Sequence, residues 1–281
     1  MLASESHGPE DAPVLLFLHG LLGSRRNWRA VAKDLSQDYR CILADLPNHG
    51  DSPHQEDASA PAMARALLEW TKAHLAPNAT FTLCGHSLGG KLAMKFAVLH
   101  PERLQKLIIA DIAPRDYSPN HNLGILDALL ALDIPKLRSR KEADAALAPA
   151  FPNFAFRQFL LTNLAEEKKG KGTEKSFHWK PNLHALRRQL PQLSANPLAP
   201  EDVHSGPTLV LAGGKSDYVR PQDHALIRRH LPRARIQTLP QAGHFLQAED
   251  KPGFLLALRR FLLDEEQPPT PARGVSRRNP T

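Results

Sequence analysis

The run Gly85-His86-Ser87-Leu88-Gly89 has the residue types of an activated serine. It follows an apolar stretch, Thr80–Cys84, and opens a helical pattern, Leu88–Leu99. Gly-x-Ser-x-Gly between a strand and a helix is a nucleophile elbow. The turn is so tight that small residues are needed two before and two after the serine, hence Gly85 and Gly89. The amino end of the following helix favours negative charge near Ser87. A serine hydroxyl is a poor nucleophile without a base. The segment Gln241-Ala242-Gly243-His244-Phe245, after the strand-like run Arg235–Leu239, offers that base in His244. His19, His49 and His86 also lie near strand ends and are expected to hold loops by hydrogen bonds.

Acyl transfer needs two convergent N–H donors for the oxyanion. One is expected from Leu88, the residue after the nucleophile. The other is expected from His19-Gly20-Leu21-Leu22-Gly23, with Leu21 as the donor and Gly20 allowing close approach. The acid that orients His244 stays open between two aspartates. Asp111 ends the run Leu107–Ala110, and Asp217 lies in the loop Gly213–Val219 before the last strand. When acid and histidine follow the serine in chain order, Asp45 comes too early. Asp217 occupies the usual loop. If Val219 is set against the valine that usually follows the acid by three residues, however, Ser216 takes the acid's place.

Gly85 to Leu92 also reads Gly-x-x-x-x-Gly-Lys-Leu, close to a phosphate-binding loop. That motif needs Ser or Thr after the lysine to hold magnesium. Leu92 cannot ligate, so nucleotide hydrolysis is excluded, and Lys91 is expected on the exposed side of its helix.

The elements that position these residues alternate. Strand-like runs at Val14–Leu18, Arg40–Asp45, Thr80–Cys84, Lys106–Asp111, Thr208–Ala212 and Arg235–Leu239 are apolar on consecutive residues. Such runs suit strands buried on both faces of a parallel sheet. Helical patterns lie between them at Trp28–Leu35, Ala62–Leu75 and Leu88–Leu99, and a last one at Phe254–Leu263. This alternation predicts an α/β fold with a mostly parallel sheet and helices on both faces. It breaks between Pro114 and Gly206, where helical patterns occur at His121–Leu132, Lys141–Leu147, Phe154–Leu164 and Leu183–Leu193 without a clear strand. The expected organisation is a core of residues 1–113 and 207–263, an inserted helical cap at 114–206, and a disordered tail at 264–281. The polar stretch Glu166–Ser176 is expected to be a mobile loop.

The formal net charge is +7. Between Lys136 and Arg188 the excess of Lys and Arg over Asp and Glu is also seven, so the charge is local to the insertion. No aromatic residues alternate with it, which argues against a nucleic-acid groove. A solvated helical surface or attraction of an anionic substrate remains. The two cysteines, Cys41 and Cys84, sit in apolar runs, with neither disulfide nor metal spacing. Residues Met1 to Pro13 lack the apolar and basic regions of a signal peptide. The apolar stretch Val14–Leu22 is interrupted by His19 and is too short to span a bilayer. A cytoplasmic protein without stable membrane insertion is the expectation; oligomeric state is unreadable.

Five segments resemble the YbfF-type bacterial esterases and their mitochondrial relative, abhydrolase-domain protein eleven. They are Leu18–Gly23, Leu46–Pro53, Gly85–Lys91, Asp111–Pro114 and Ala242–His244. Arg157–Leu164 and Trp179–Leu186 in the insertion look family-like too. The likeness runs from about Val14 to about Leu263. It implies the α/β-hydrolase fold, Ser87 as nucleophile, His244 as base and Asp111 as acid. It also implies hydrolysis of acyl esters, with fatty-acyl-CoA thioesters among the substrates, and no cofactor or metal. His184 stands where some relatives carry aspartate. A carbon–carbon bond hydrolase, an acyltransferase or a non-catalytic ligand receptor on the same fold would share these features.

Overall fold

The structure is a computed structural model and describes residues 1–168 and 175–264. Among the described residues nine strands form in chain order: β1 (Ser4–His7), β2 (Val14–Leu18), β3 (Arg40–Ala44), β4 (Phe81–His86), β5 (Leu104–Ala110), β6 (Leu164–Lys168), β7 (Lys175–Trp179), β8 (Thr208–Gly213) and β9 (Ala234–Leu239). Seven of them make one sheet in the order β1-β3-β2-β4-β5-β8-β9. β1 runs antiparallel to β3, and the other pairings are parallel. The helices are α1 (Arg29–Leu35), α2 (Ala60–His74), α3 (Leu88–Leu99), α4 (Asn120–Leu130), α5 (Arg140–Leu147), α6 (Phe154–Leu161), α7 (Leu183–Ser194), α8 (His224–His230), α9 (Leu246–Glu249) and α10 (Lys251–Leu263).

Alternate residues of the strands feed two cores, because successive side chains of a strand point to opposite faces. Leu15 and Phe17 of β2 join Cys41 and Leu43 of β3 against Trp28, Val31 and Phe254, the side covered by α1 and α10. Leu16, Leu18, Ile42 and Ala44 join Met63, Leu67, Leu92 and Phe96, the side covered by α2 and α3. Both cysteines are buried and free within these layers. β4 is buried at every residue, so the turn that carries Ser87 leaves the sheet from a strand protected along its whole length.

Two features differ from the sequence expectation. β1, Ser-Glu-Ser-His, is an added edge strand whose residues are partly exposed. An edge strand needs backbone pairing more than apolar side chains, so no hydrophobic run announces it. The stretch between β5 and β8 is also not wholly helical. α4 to α7 are interrupted by the antiparallel hairpin β6–β7, paired from Leu164↔Trp179 to Lys168↔Lys175. The ends of the expected mobile loop Glu166–Ser176 are therefore strand, and residues 169–174 lie outside the described residues. The expected tail lies outside them too, from residue 265 onward. Helix starts follow side-chain caps. Ser59 accepts from Ala62 N–H before α2, Asn153 from Phe156 N–H before α6, and Asn182 from Ala185 N–H before α7.

Among the described residues, several basic side chains between β5 and β8 are met by carboxylates. Arg157 pairs with Asp144, Arg187 with Asp127, Arg188 with Glu56 and Lys180 with Asp51. Among the described residues no helix is long and apolar enough to cross a membrane.

Candidate active site

Ser87 sits between the end of β4 and the first residue of α3, with φ 52° and ψ −115°. A non-glycine residue adopts that region at a cost, and such strain gathers at functional sites. The turn is held by Ser87 N–H donating to Ala110 C=O at 3.0 Å and by Lys91 N–H donating to Ser87 C=O at 3.0 Å. The flanking glycines are explained by contact distances. A Cβ at Gly85 would lie 2.2 Å from the Gly89 oxygen, and one at Gly89 would lie 2.6 Å from the Leu18 and His19 oxygens.

His244 comes from the turn after β9, and its Nδ1 lies 2.8 Å from Asp111 Oδ2. Asp111 is fully buried at the end of β5, with φ 51°. Its Oδ1 accepts from Gly213 N–H at 2.9 Å, and its Oδ2 also accepts from the Ser216 hydroxyl. An ionised carboxylate only accepts hydrogen bonds. His244 therefore donates from Nδ1, which leaves the lone pair of a neutral ring on Nε2. Asp217, the other candidate acid, does not join this group. Its side chain is 88 % exposed and pairs with Arg220 at 3.4 Å. Ser216, which the valine register put in the acid's place, instead supplies a hydroxyl to Asp111.

Two rings flank the imidazole. The Tyr218 ring stacks on His244 with centroids 3.8 Å apart and planes 19° apart. Tyr218 is held in turn by Tyr117, whose hydroxyl donates to the Tyr218 carbonyl at 2.6 Å and accepts from Ala113 N–H at 2.8 Å. On another side His86 Nε2 lies 2.8 Å from the His244 carbonyl. Burial pushes the His86 pKa well below the ordinary histidine value, so the ring is neutral and donates this bond. Removing the Tyr218 ring by Tyr218→Ala would leave His244 free to tilt. The expected result is a fall in kcat of about 10- to 100-fold in an ester assay, the range that a small misplacement of a reacting group costs. KM and thermal stability should change far less.

Leu21 and Leu88 line one small cavity with Ser87 and Tyr218, of about 100 Å³. Gly20 brings the loop after β2 close, since a Cβ there would meet Ser87 Cβ at 3.2 Å. The loop is braced from two sides. His19 Nδ1 donates to Gly20 C=O at 2.8 Å while Nε2 accepts from Leu46 N–H at 3.0 Å. Burial holds the His19 pKa down at about 4, which keeps that neutral tautomer. From the insertion, the buried Asn163 amide donates to Leu22 C=O at 2.7 Å. Leu22 itself has φ 57°, a left-handed backbone region that a leucine adopts at a cost.

Lys91 corrects the sequence reading. It is 4 % exposed, not on a solvent face, and Nζ donates to Ser194 and Ala195 carbonyls, each at 2.6 Å. The physical reason is α7, between β5 and β8. α7 ends over this side of α3, and the pattern of α3 alone does not show that something covers it. Lys91 and Leu88 also line a larger groove of about 910 Å³, bounded by the start of α2 and the end of α7. Tyr218 and Tyr117 carry no signal in the sequence; Ser216 enters only through the register of Val219, and Asn163 only within the family-like stretch Arg157–Leu164. Each acts through contacts made only in three dimensions.

Comparisons with known proteins bear on the fold and the family. The family described as alpha/beta hydrolase fold matches residues 13–251. The chain is 38 % identical over 265 residues to the sn-1-specific diacylglycerol lipase ABHD11 of Mus musculus, covering 91 % of this chain and 82 % of that protein. It is 33 % identical over 254 residues to esterase YbfF of Escherichia coli, covering 90 % and 94 %. A solved marine microorganism esterase superposes with a TM-score of 0.86 at 35 % identity, covering 92 % of this chain and 98 % of that one. With the sheet order, the serine turn and these matches together, the chain belongs to the alpha/beta hydrolase fold family.

Proposed function

We propose that this carboxylic ester hydrolase works by two-step acyl transfer through Ser87, His244 and Asp111. The observation that carries the reading is the bond from His244 to a fully buried Asp111, with the Tyr218 ring that stacks on His244 lining the same cavity as Ser87, itself in strained backbone. His244 Nε2 takes the proton of the Ser87 hydroxyl as its oxygen attacks the acyl carbonyl. Asp111 keeps the imidazole in the useful tautomer and stabilises its positive charge. Leu21 and Leu88 N–H groups hold the oxyanion. His244 then gives its proton to the departing alcohol or thiol, and water repeats the sequence on the acyl-enzyme. No metal or cofactor enters these steps.

The residues between β5 and β8 serve as a cap in this reading. They close the cavity with Leu190, Leu193 and Ser194, and they brace the loop that carries Leu21. The lipase and esterase names of the relatives support acyl esters as the substrate class. Acyl-CoA thioesters are the second substrate class, because the same attack serves a thioester. The test is active-site labelling with a fluorophosphonate, read as a modified Ser87 peptide, followed by rates on short acyl esters, acyl-CoA and diacylglycerol. Labelling at Ser87 with turnover of at least one acyl class is expected. An unlabelled Ser87, or a labelled protein that turns over none of them, would overturn the reading.

A further inference from the structure

Lys91 is not needed for the acyl transfer just described, yet it is placed beside it. It lies one helical turn after Ser87 and lines the same cavity of about 100 Å³. On its other side it lines the groove of about 910 Å³. Its neighbours are dipoles and a ring. Nζ meets the Ser194 and Ala195 carbonyls and sits 4.9 Å from the centroid of the Tyr117 ring. Among the described residues it forms no ion pair. The other basic residues of the groove are matched, Lys95 by Asp202 at 2.8 Å and Arg188 by Glu56.

A buried charge without an opposite charge is costly, so buried charges are normally paired or bound to a ligand. An ammonium has three donors, and two are committed to the carbonyls. The rest of the cavity wall near Lys91 carries Ser118, His121 and Asn122, which suits a polar end group. The cavity is also short. Its volume is well below the roughly 300 Å³ at which pockets for drug-sized ligands begin. A short acyl group fits its size, whereas the open groove of about 910 Å³ can take a leaving group.

We propose that Lys91 is a carboxylate subsite, so that the cavity beside Ser87 takes a short acyl group ending in a carboxylate, as in a half-ester of a dicarboxylic acid. This rests on the reading of Ser87 as nucleophile. The carboxylate supplies the anion that the buried ammonium lacks, and the ammonium sets the acyl carbonyl over Ser87. Desolvation, aided by the nearby Arg115 charge, holds the Lys91 pKa down at about 7, against a smaller raising effect of Asp116. A bound carboxylate favours the charged form.

The experiment compares monoethyl succinate with its neutral isostere, ethyl succinamate, on fluorophosphonate-titrated enzyme. The wild type is expected to prefer the charged ester by at least about tenfold in kcat/KM, a coupling of about 1.4 kcal/mol. Lys91→Gln, which keeps donors for the carbonyls and loses the charge, is expected to lower that ratio about tenfold, mostly through KM. Lys91→Arg is expected to keep most of it. A wild type that shows no preference, or favours the amide, overturns the proposal without any variant, as does an unchanged ratio in Lys91→Gln. Failure of the underlying reading looks different: neither ester is hydrolysed and the titrant finds no site.

Discussion

Ser87→Ala is expected to lower kcat on any acyl ester by about 10⁶-fold while the protein stays folded. That size is what loss of a nucleophile costs in a serine hydrolase of the same constellation. The fold should survive, because alanine accepts the backbone bonds of the turn unchanged: Ser87 N–H to Ala110 and Lys91 N–H to Ser87. Gly85 and Gly89, which make the turn possible, are untouched. Residual catalysis of about 10³- to 10⁴-fold over water should remain from the N–H donors and binding alone. Adding His244→Ala should cost little more, since the two residues act as a unit. The assay is acid release from an ethyl ester by purified protein with matched circular dichroism. A Ser87→Ala protein that keeps more than about 1 % of wild-type kcat would remove Ser87 from the nucleophile's role, since that loss of roughly 100-fold falls far short of the cost expected.

Asp111→Asn is the second large effect, about 10⁴-fold in kcat, and the structure says why so small a change is so harmful. Oδ1 of Asp111 accepts from Gly213 N–H, a backbone donor that cannot become an acceptor. The amide oxygen of asparagine must therefore stay on that side. The amide NH₂ then replaces Oδ2, facing the Ser216 hydroxyl and His244 Nδ1. Ser216 can turn its hydroxyl and accept. His244 can accept only by moving its proton to Nε2, which is the tautomer that cannot take the proton of Ser87. Asp217→Asn is the matched control and should stay within about threefold of wild type, the scale of effect typical of surface changes. Its side chain is exposed and reaches Arg220 rather than His244. The two variants, assayed side by side on one ester, separate the aspartates. A large loss in Asp217→Asn with a small one in Asp111→Asn would reverse the assignment.

The sequence by itself determined the parallel sheet, the serine turn and the histidine after the last strand. Central strands such as Thr208–Gly213 are buried at every residue, so they must be continuous apolar runs. The elbow is equally local, because its glycines answer contacts within a few residues and from the adjacent strand. The half-exposed strands β1 and β6–β7 were silent for the opposite reason. Their stability lies in backbone pairing, and polar residues pair as well as apolar ones there.

What only the tertiary structure decided was which partners meet. His244 and Asp111 are 133 positions apart, and both candidate aspartates follow parallel strands, Asp111 directly after β5 and Asp217 in the loop after β8. Choosing between them takes the direction of each side chain as it leaves its loop, inward at Asp111 and outward at Asp217. The burial of Lys91 is hidden from the sequence for the same reason. Exposure on a helix is set by what packs on it, and the carbonyls that bury Lys91 lie more than a hundred residues away at the end of α7. Local chemistry can therefore be read along the chain, whereas the field around Ser87 is assembled from long-range contacts.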